Sequence, residues 1–200
     1  MSHYSQGIDT RDNILANALQ LFSKNGYDAT SVAEICEQTQ VSKGAFYHHF
    51  PSKQELFLAL MTSWLGEVDG TLQAAGDLAK DVPGSLEKMA ATTGQLFEEL
   101  EGGFPILLEF WRQASRKPEI WERAVAPFRY YLTFFVNLVQ KGVEEKDFDD
   151  TVDPEISARI LMAMAMGLLL QASFDHADVD WQATTESGIN MILRGMRRKT

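Results

Sequence analysis

The chain is expected to be all-α, with a short three-helix unit at residues 1–53 ahead of a larger helical body at residues 54–200. Three observations lead there. Apolar residues recur at helical spacing, and no segment alternates as a half-buried strand would. Several short periodic stretches near the N-terminus carry their own start or stop signals. Charge divides in the same place: residues 1–53 hold four Lys/Arg against five Asp/Glu, and residues 54–200 hold fourteen against twenty-three.

The first helix is expected over Thr10–Asn25, because Ile14, Ala18, Leu21 and Phe22 share one face and Gly26 stands where helices end. "SVAE" has the form of a capping box, Ser31 with Glu34, and opens a short helix that buries Val32, Ile35 and Cys36. After "TQV", Ser42 caps a second short helix with Phe46 turned inward. Phe50 closes this small core, Pro51 breaks the chain, and "SKQE" repeats the box with Ser52 and Glu55. A longer helix then runs from Lys53 toward Val68. Two short capped helices joined by a tight turn form a helix-turn-helix.

Beyond Gly70, helices are expected over Gly84–Leu100, Pro105–Arg116 and Pro118–Glu144, the last bent near Pro127. Pro154–Phe174 and Trp181–Arg198 complete the body, and the basic "RGMRRK" end suits a helix C-terminus.

Composition narrows the function. The net charge of −10 argues against a nonspecific nucleic-acid coat, so any cationic contact must be local and geometric. The single cysteine, Cys36, excludes an internal disulfide framework and a Cys-based zinc site, and reads as a small core residue. "MSHYSQGIDTRDN" has no basic-then-apolar secretory layout, and "ILMAMAMGLLL" is about half the ~20 residues of a membrane span. A cytoplasmic protein without membrane association is expected. No Ser/His/Asp or Cys/His pairing and no phosphate loop stands out in the body, so neither catalysis nor a cofactor is expected.

"VSKGAFYHHFPSKQEL" concentrates the chemistry. Ser42 leaves backbone N–H groups free at a helix N-terminus, which favours a phosphate. Lys43 can reach a base edge or a phosphate, and Ala45 offers a methyl suited to thymine. Gly44 is poor helix chemistry unless something approaches the backbone closely. Tyr47 and His48 can donate hydrogen bonds from the helix surface. Lys53 at a helix start opposes the dipole, which makes sense opposite a phosphate. Metal binding by His48 and His49 is disfavoured, because adjacent helical residues do not face each other.

The segment "GYDATSVAEICEQTQVSKGAFYHHFPSKQELF", Gly26–Phe57, resembles the signature of the tetracycline-repressor (TetR) family of transcriptional regulators, and the likeness reaches back through the first helix. It implies a DNA-binding domain on a helical ligand-binding and dimerisation domain. By the family pattern Lys43, Gly44 and Ala45 face the groove, Tyr47, His48, Lys53 and Thr30 meet phosphates, and His49 lies near the DNA or supports the helix.

In the body, Pro154–Phe174 is apolar nearly all round and must be buried on more than one side. Ala158, Ala163, Ala165, Gly167 and Ala172 would admit a close neighbour, and Ile189, Ile192, Leu193 and Met196 form a stripe on the last helix. A homodimer interface built from these two helices is expected. Large adaptable side chains concentrate at Met61, Trp64, Phe97, Phe104, Phe110, Trp111, Phe128, Tyr131, Phe135, Met162 and Met166, which suits a pocket for an apolar effector. Glu109 and Arg112 are spaced to pair with each other, ahead of the alternative that they orient a polar ligand group. The acid-rich "DFDDTVDPE" lacks the pattern of a calcium loop, and "DHADVD", whose Asp175, His176 and Asp178 could hold a cation, is expected instead to turn with Asp180 capping the last helix.

The reading is a homodimeric, ligand-responsive repressor of a palindromic double-stranded DNA operator, released by an apolar small molecule. Two other functions stand beside it: a helical carrier or enzyme with a vestigial DNA unit, and a family-like DNA binder that organises chromosomes.

Overall fold

The computed structural model describes residues 2–93, 103–173 and 179–197. Among these the chain is helical: α1 (Ser2–Asn25), α2 (Val32–Thr39), α3 (Lys43–His49), α4 (Lys53–Asp77), α5 (Val82–Ala91), α6 (Gly103–Ala114), α7 (Pro118–Glu144), α8 (Pro154–Ala172) and α9 (Trp181–Met196). Two compact units emerge, residues 1–66 with 105–124, and residues 67–104 with 125–200. Their division falls inside α4 and α7 and in the first turn of α6.

In the first unit, Ile14, Ala18 and Phe22 of α1, Ile35 and Cys36 of α2, and Phe46 of α3 are buried with Leu56, Phe57 and Met61 of α4. Ile106, Phe110 and Ala114 of α6 join the same core. Phe57 stacks on Phe110 at 4.4 Å, and Tyr27 meets both rings edge-on. Each ring pair adds about 0.5–1.5 kcal/mol beyond its burial. The expected core of the small unit is therefore present, and a helix from later in the chain completes it.

The local signals act much as expected. Both arms of the Ser31–Glu34 box form, with Glu34 N donating to Ser31 Oγ and Ser31 N to the Glu34 carboxylate. That holds the Glu34 carboxyl below its usual range, chiefly through the Ser31 backbone N–H. The second box is only half made. Glu55 N donates to Ser52 Oγ at 3.1 Å, while the Glu55 carboxylate is taken by both guanidinium nitrogens of Arg123. α4 runs on past Val68 despite Gly66, Gly70 and Gly76, because buried Val68, Leu72 and Ala75 outweigh a propensity cost near 1 kcal/mol per glycine.

The second unit centres on Val82, Leu86 and Ala90 of α5, Val139 of α7, Phe148, Leu161 of α8, and Ile189, Leu193 and Met196 of α9. Asp153 caps α8 and Asp180 caps α9, each accepting from a backbone N–H three residues on. Asp147 accepts from Val82 N, and Asp149 from Thr151. The acid-rich loop thus spends three of its carboxylates on backbone and hydroxyl donors. Asp175, His176 and Asp178 lie outside the described residues.

The expected dimer surface needs correction. Ala158, Ile189, Leu193 and Met196 are buried inside the single chain, because α9 turns its apolar stripe toward α5 and α8. Ile192 is partly buried against the same core. Ala165 is exposed, and a Cβ built on partly buried Gly167 would point into open space. What α8 leaves uncovered is a largely different stripe that shares Gly167 with the expected set: Ile156 (58% exposed), Ile160 (49%) and Leu170 (39%), with Met191 (68%) on α9. By length and composition α8 would also pass as a membrane span.

Candidate nucleic-acid interface

α3 presents one open face. Ser42 caps it by accepting from Ala45 N at 3.1 Å, and Phe46 anchors the opposite side as a fully buried ring. The anchor fixes which residues look outward: Lys43, Gly44, Tyr47 and His48 are exposed, Ala45 and His49 partly so. Tyr47 is 50% exposed yet held edge-on against Phe46 at 5.3 Å, which pre-orients its ring at the surface. A Cβ built on Gly44 would meet only Ser42 Oγ at 3.8 Å, so nothing inside the protein requires glycine there. The turn between α2 and α3 is tight, with Gln40 in the left-handed region at φ 56° and Val41 N donating to Cys36 O.

Two residues expected at the phosphates are occupied elsewhere. Thr30 is 0% exposed, and its hydroxyl donates to Gly26 O at 2.8 Å and Leu21 O at 3.2 Å, so its side chain belongs to the packing. The Lys53 ammonium donates to Tyr27 O at 2.7 Å, Thr30 O at 2.9 Å and Asp28 O at 3.4 Å, and lies 4.4 Å from the centre of the Tyr27 ring. Burial lowers the Lys53 pKa, opposed by the charges of Asp28, Glu109 and Glu34. Neither role was legible in the sequence. For Lys53 the accepting carbonyls sit on a turn more than twenty residues away.

The expected Glu109–Arg112 pair is replaced by separate contacts to that turn. Glu109 accepts from Tyr27 N at 2.8 Å and Asp28 N at 2.9 Å, and Arg112 donates to the Asp28 carboxylate. Eighty-two positions separate Glu109 from Tyr27, and no local pattern announces the contact.

The expected pocket residues disperse. Met61, Phe110 and Trp111 pack in the core of the first unit, with Trp111 Nε1 donating to Ala124 O. On α6, Phe110 is fully buried and stacks on Phe57 of α4, and Trp111 is partly buried against the same core, so both fill space there. Trp64 Nε1 is buried with no hydrogen-bond partner among the described residues. In the second unit Met162 is buried, while Phe128, Tyr131, Phe135 and Met166 are partly buried. Phe97 and the side chain of Phe104 lie outside the described residues. A groove of about 490 Å³ in the first unit is of mixed character, with Arg11, His49, Glu55 and Arg123 beside Phe50, Leu58 and Ala59, and none of the residues expected to line an effector pocket borders it.

Known proteins share this geometry. Residues 14–60 match the model of bacterial regulatory proteins of the tetR family, and residues 96–193 match the BetI-type transcriptional repressor C-terminal model. The chain belongs to the TetR family and is a DNA-binding transcriptional regulator of the helix-turn-helix class. It is 22% identical over 189 residues to the HTH-type transcriptional regulator UidR of Escherichia coli K12, covering 94% of this chain and 92% of that one. Its fold is similar to the fatty acid degradation regulator FadR of Bacillus halodurans, with 18% identity, a TM-score of 0.77, and 95% and 97% of the two chains covered. A TetR-family regulator of Streptomyces coelicolor, SCO4454, is similar at 17% identity and a TM-score of 0.78, with 94% and 96% covered.

Proposed function

We propose that the protein is a cytoplasmic homodimeric repressor that lays α3 of each protomer in a DNA major groove and leaves its operator when an apolar small molecule binds the helical body. The observation that carries this reading is the exposed α3 face of Lys43, Gly44, Tyr47 and His48, anchored from behind by buried Phe46. Lys43, Gly44 and Ala45 face the base edges, with Ser42 at the helix start, while Tyr47 and His48 donate to phosphates and His49 supports them. Lys53 contributes through its place at the head of α4, because its ammonium is already held by backbone carbonyls.

Dimerisation uses the uncovered stripe of α8 and α9. Ile156, Ile160, Gly167 and Leu170 share one face of α8, and Met191 is exposed on α9. Two copies would bury this face as a four-helix arrangement. The same pairing accounts for an apolar α8 without a membrane. Two-fold symmetry then sets the α3 helices about 34–36 Å apart, or somewhat more, and calls for a palindromic operator. The effector acts through its differential affinity for the two α3 spacings, with continuous α4 as the mechanical element. Partly buried Phe128, Tyr131, Phe135 and Met166 favour an apolar effector.

A salt titration of operator binding tests the assignment. Lys43→Ala should weaken binding and narrow the affinity gap between the preferred duplex and an unrelated one, because a base-edge contact is lost. Tyr47→Phe should weaken binding with the slope of log K against log salt unchanged. If neither variant alters affinity for the preferred duplex, α3 does not carry recognition.

A further inference from the structure

We infer that Glu109 of α6 is a positioning residue for DNA recognition: its carboxylate holds the α1–α2 turn in the setting that operator binding requires, without touching DNA. The inference rests on the DNA-binding reading above and adds the residue that regulates it.

The turn at residues 26–30 is gripped by opposite charges on its two polar sides. Both Glu109 carboxylate oxygens are used, one by Tyr27 N and the other by Asp28 N. The carbonyls of Tyr27 and Thr30 accept from the Lys53 ammonium at the head of α4. The carboxylate lies so near the chain that a Cβ on Gly26 would come within 3.3 Å of Glu109 Oε2, and Gly26 is also at φ +86°. Left-handed backbone favours glycine there, and any side chain would also press on the carboxylate. Below the turn, the Tyr27 ring is wedged against Phe22, Phe57 and Phe110.

Just beyond the turn lies the recognition apparatus. Thr30 leads into Ser31, which caps α2, and α2 leads through its tight turn to α3. A charged acceptor on two backbone donors is directional and strong, so α6 and the turn move together or the bonds break. By contrast, the Arg112–Asp28 pair is solvent-exposed and adds little. α6 lies within the matched C-terminal family region, so any signal that displaces it pulls on this carboxylate.

The test uses the full-length protein and the duplex it prefers from the upstream region of its own gene. Glu109→Ala should weaken operator binding by about tenfold, equivalent to 1.4 kcal/mol, with the salt slope of the wild type. Glu109→Gln keeps one acceptor oxygen and should lose about threefold, half as much on a free-energy scale. Arg112→Ala should stay within about twofold, as exposed pairs do. Amide hydrogen exchange at Tyr27 and Asp28 should quicken in both Glu109 variants. By reciprocity, operator should slow exchange at these two amides in the wild type and not in Glu109→Ala. A purely structural role would lower the unfolding midpoint and the active fraction, leaving the affinity of folded protein unchanged. The inference is overturned by unchanged affinity in folded Glu109→Ala, by a shallower salt slope, or by unaltered exchange at residues 27 and 28. Should Glu109→Ala fail to fold, the near-isosteric Glu109→Gln decides by the same readouts. A wild-type protein with no preference among duplexes overturns the DNA-binding reading, and this inference with it.

Discussion

Gly44→Ala should make the protein more stable and a poorer DNA binder. Gly44 is the second residue of α3 and is exposed, and a methyl there meets only Ser42 Oγ at 3.8 Å, an ordinary contact. Replacing glycine by alanine in a helix is worth about 0.5–1 kcal/mol. For a chain of 200 residues that raises the unfolding midpoint by roughly 1–4 °C. On the outer side the same methyl projects toward the groove surface. Overpacking a close interface costs about 1–3 kcal/mol, or roughly 5- to 150-fold in affinity. Circular dichroism at 222 nm gives the midpoint, and anisotropy of a labelled operator at fixed salt gives the affinity. Gly142→Ala is the control of opposite sign, because its Cβ would lie 2.5 Å from the buried Phe148 ring and 3.2 Å from Val82 Cβ. It should destabilise by about 1–3 kcal/mol. The reasoning is refuted if Gly44→Ala binds operator as well as wild type, or if it lowers the midpoint.

Ser31→Ala removes the α2 cap and should cost about 1 kcal/mol, read as a drop of roughly 2–4 °C in the unfolding midpoint. Glu34 has a lowered pKa when folded, so its contribution is complete above the usual carboxylate value of about 4.3 and is lost as pH falls through the lower folded value. Glu34→Gln should remove that part of the acid dependence, measured as the difference in unfolding free energy between pH 6 and acid. Ile160→Glu, on the exposed α8 stripe, should shift the protein to monomer in analytical ultracentrifugation and lower operator affinity more than tenfold; an intact dimer refutes the assigned interface. Burial raises the Cys36 thiol pKa, so a thiol reagent at pH 8 should label native protein far more slowly than protein in denaturant, and rapid native labelling contradicts this packing.

Much of the first unit was legible in the sequence because its signals are local. Gly26, the Ser31–Glu34 box, Ser42 and Phe46 act through neighbours within four positions, and the helix-turn-helix follows from them. The outward face of α3 was legible for the same reason, once Phe46 is placed inside. Less visible was the reach of Glu55, whose spacing signals a capping box while its carboxylate serves Arg123 sixty-eight positions away.

Periodicity by itself determined that α9 has an apolar face, but periodicity names no partner. α5 and α8 cover the stripe of Ile189, Leu193 and Met196, which leaves Ile156, Ile160 and Met191 outside. α6 turned Phe110 into the core of the first unit and Glu109 onto the α1–α2 turn. The hydrophobic effect is non-directional, so a pattern of apolar residues determines that a surface is buried and not against what. Lys53 and Glu109 carry the same lesson for polar groups: the backbone atoms they satisfy are brought within reach only when distant helices pack.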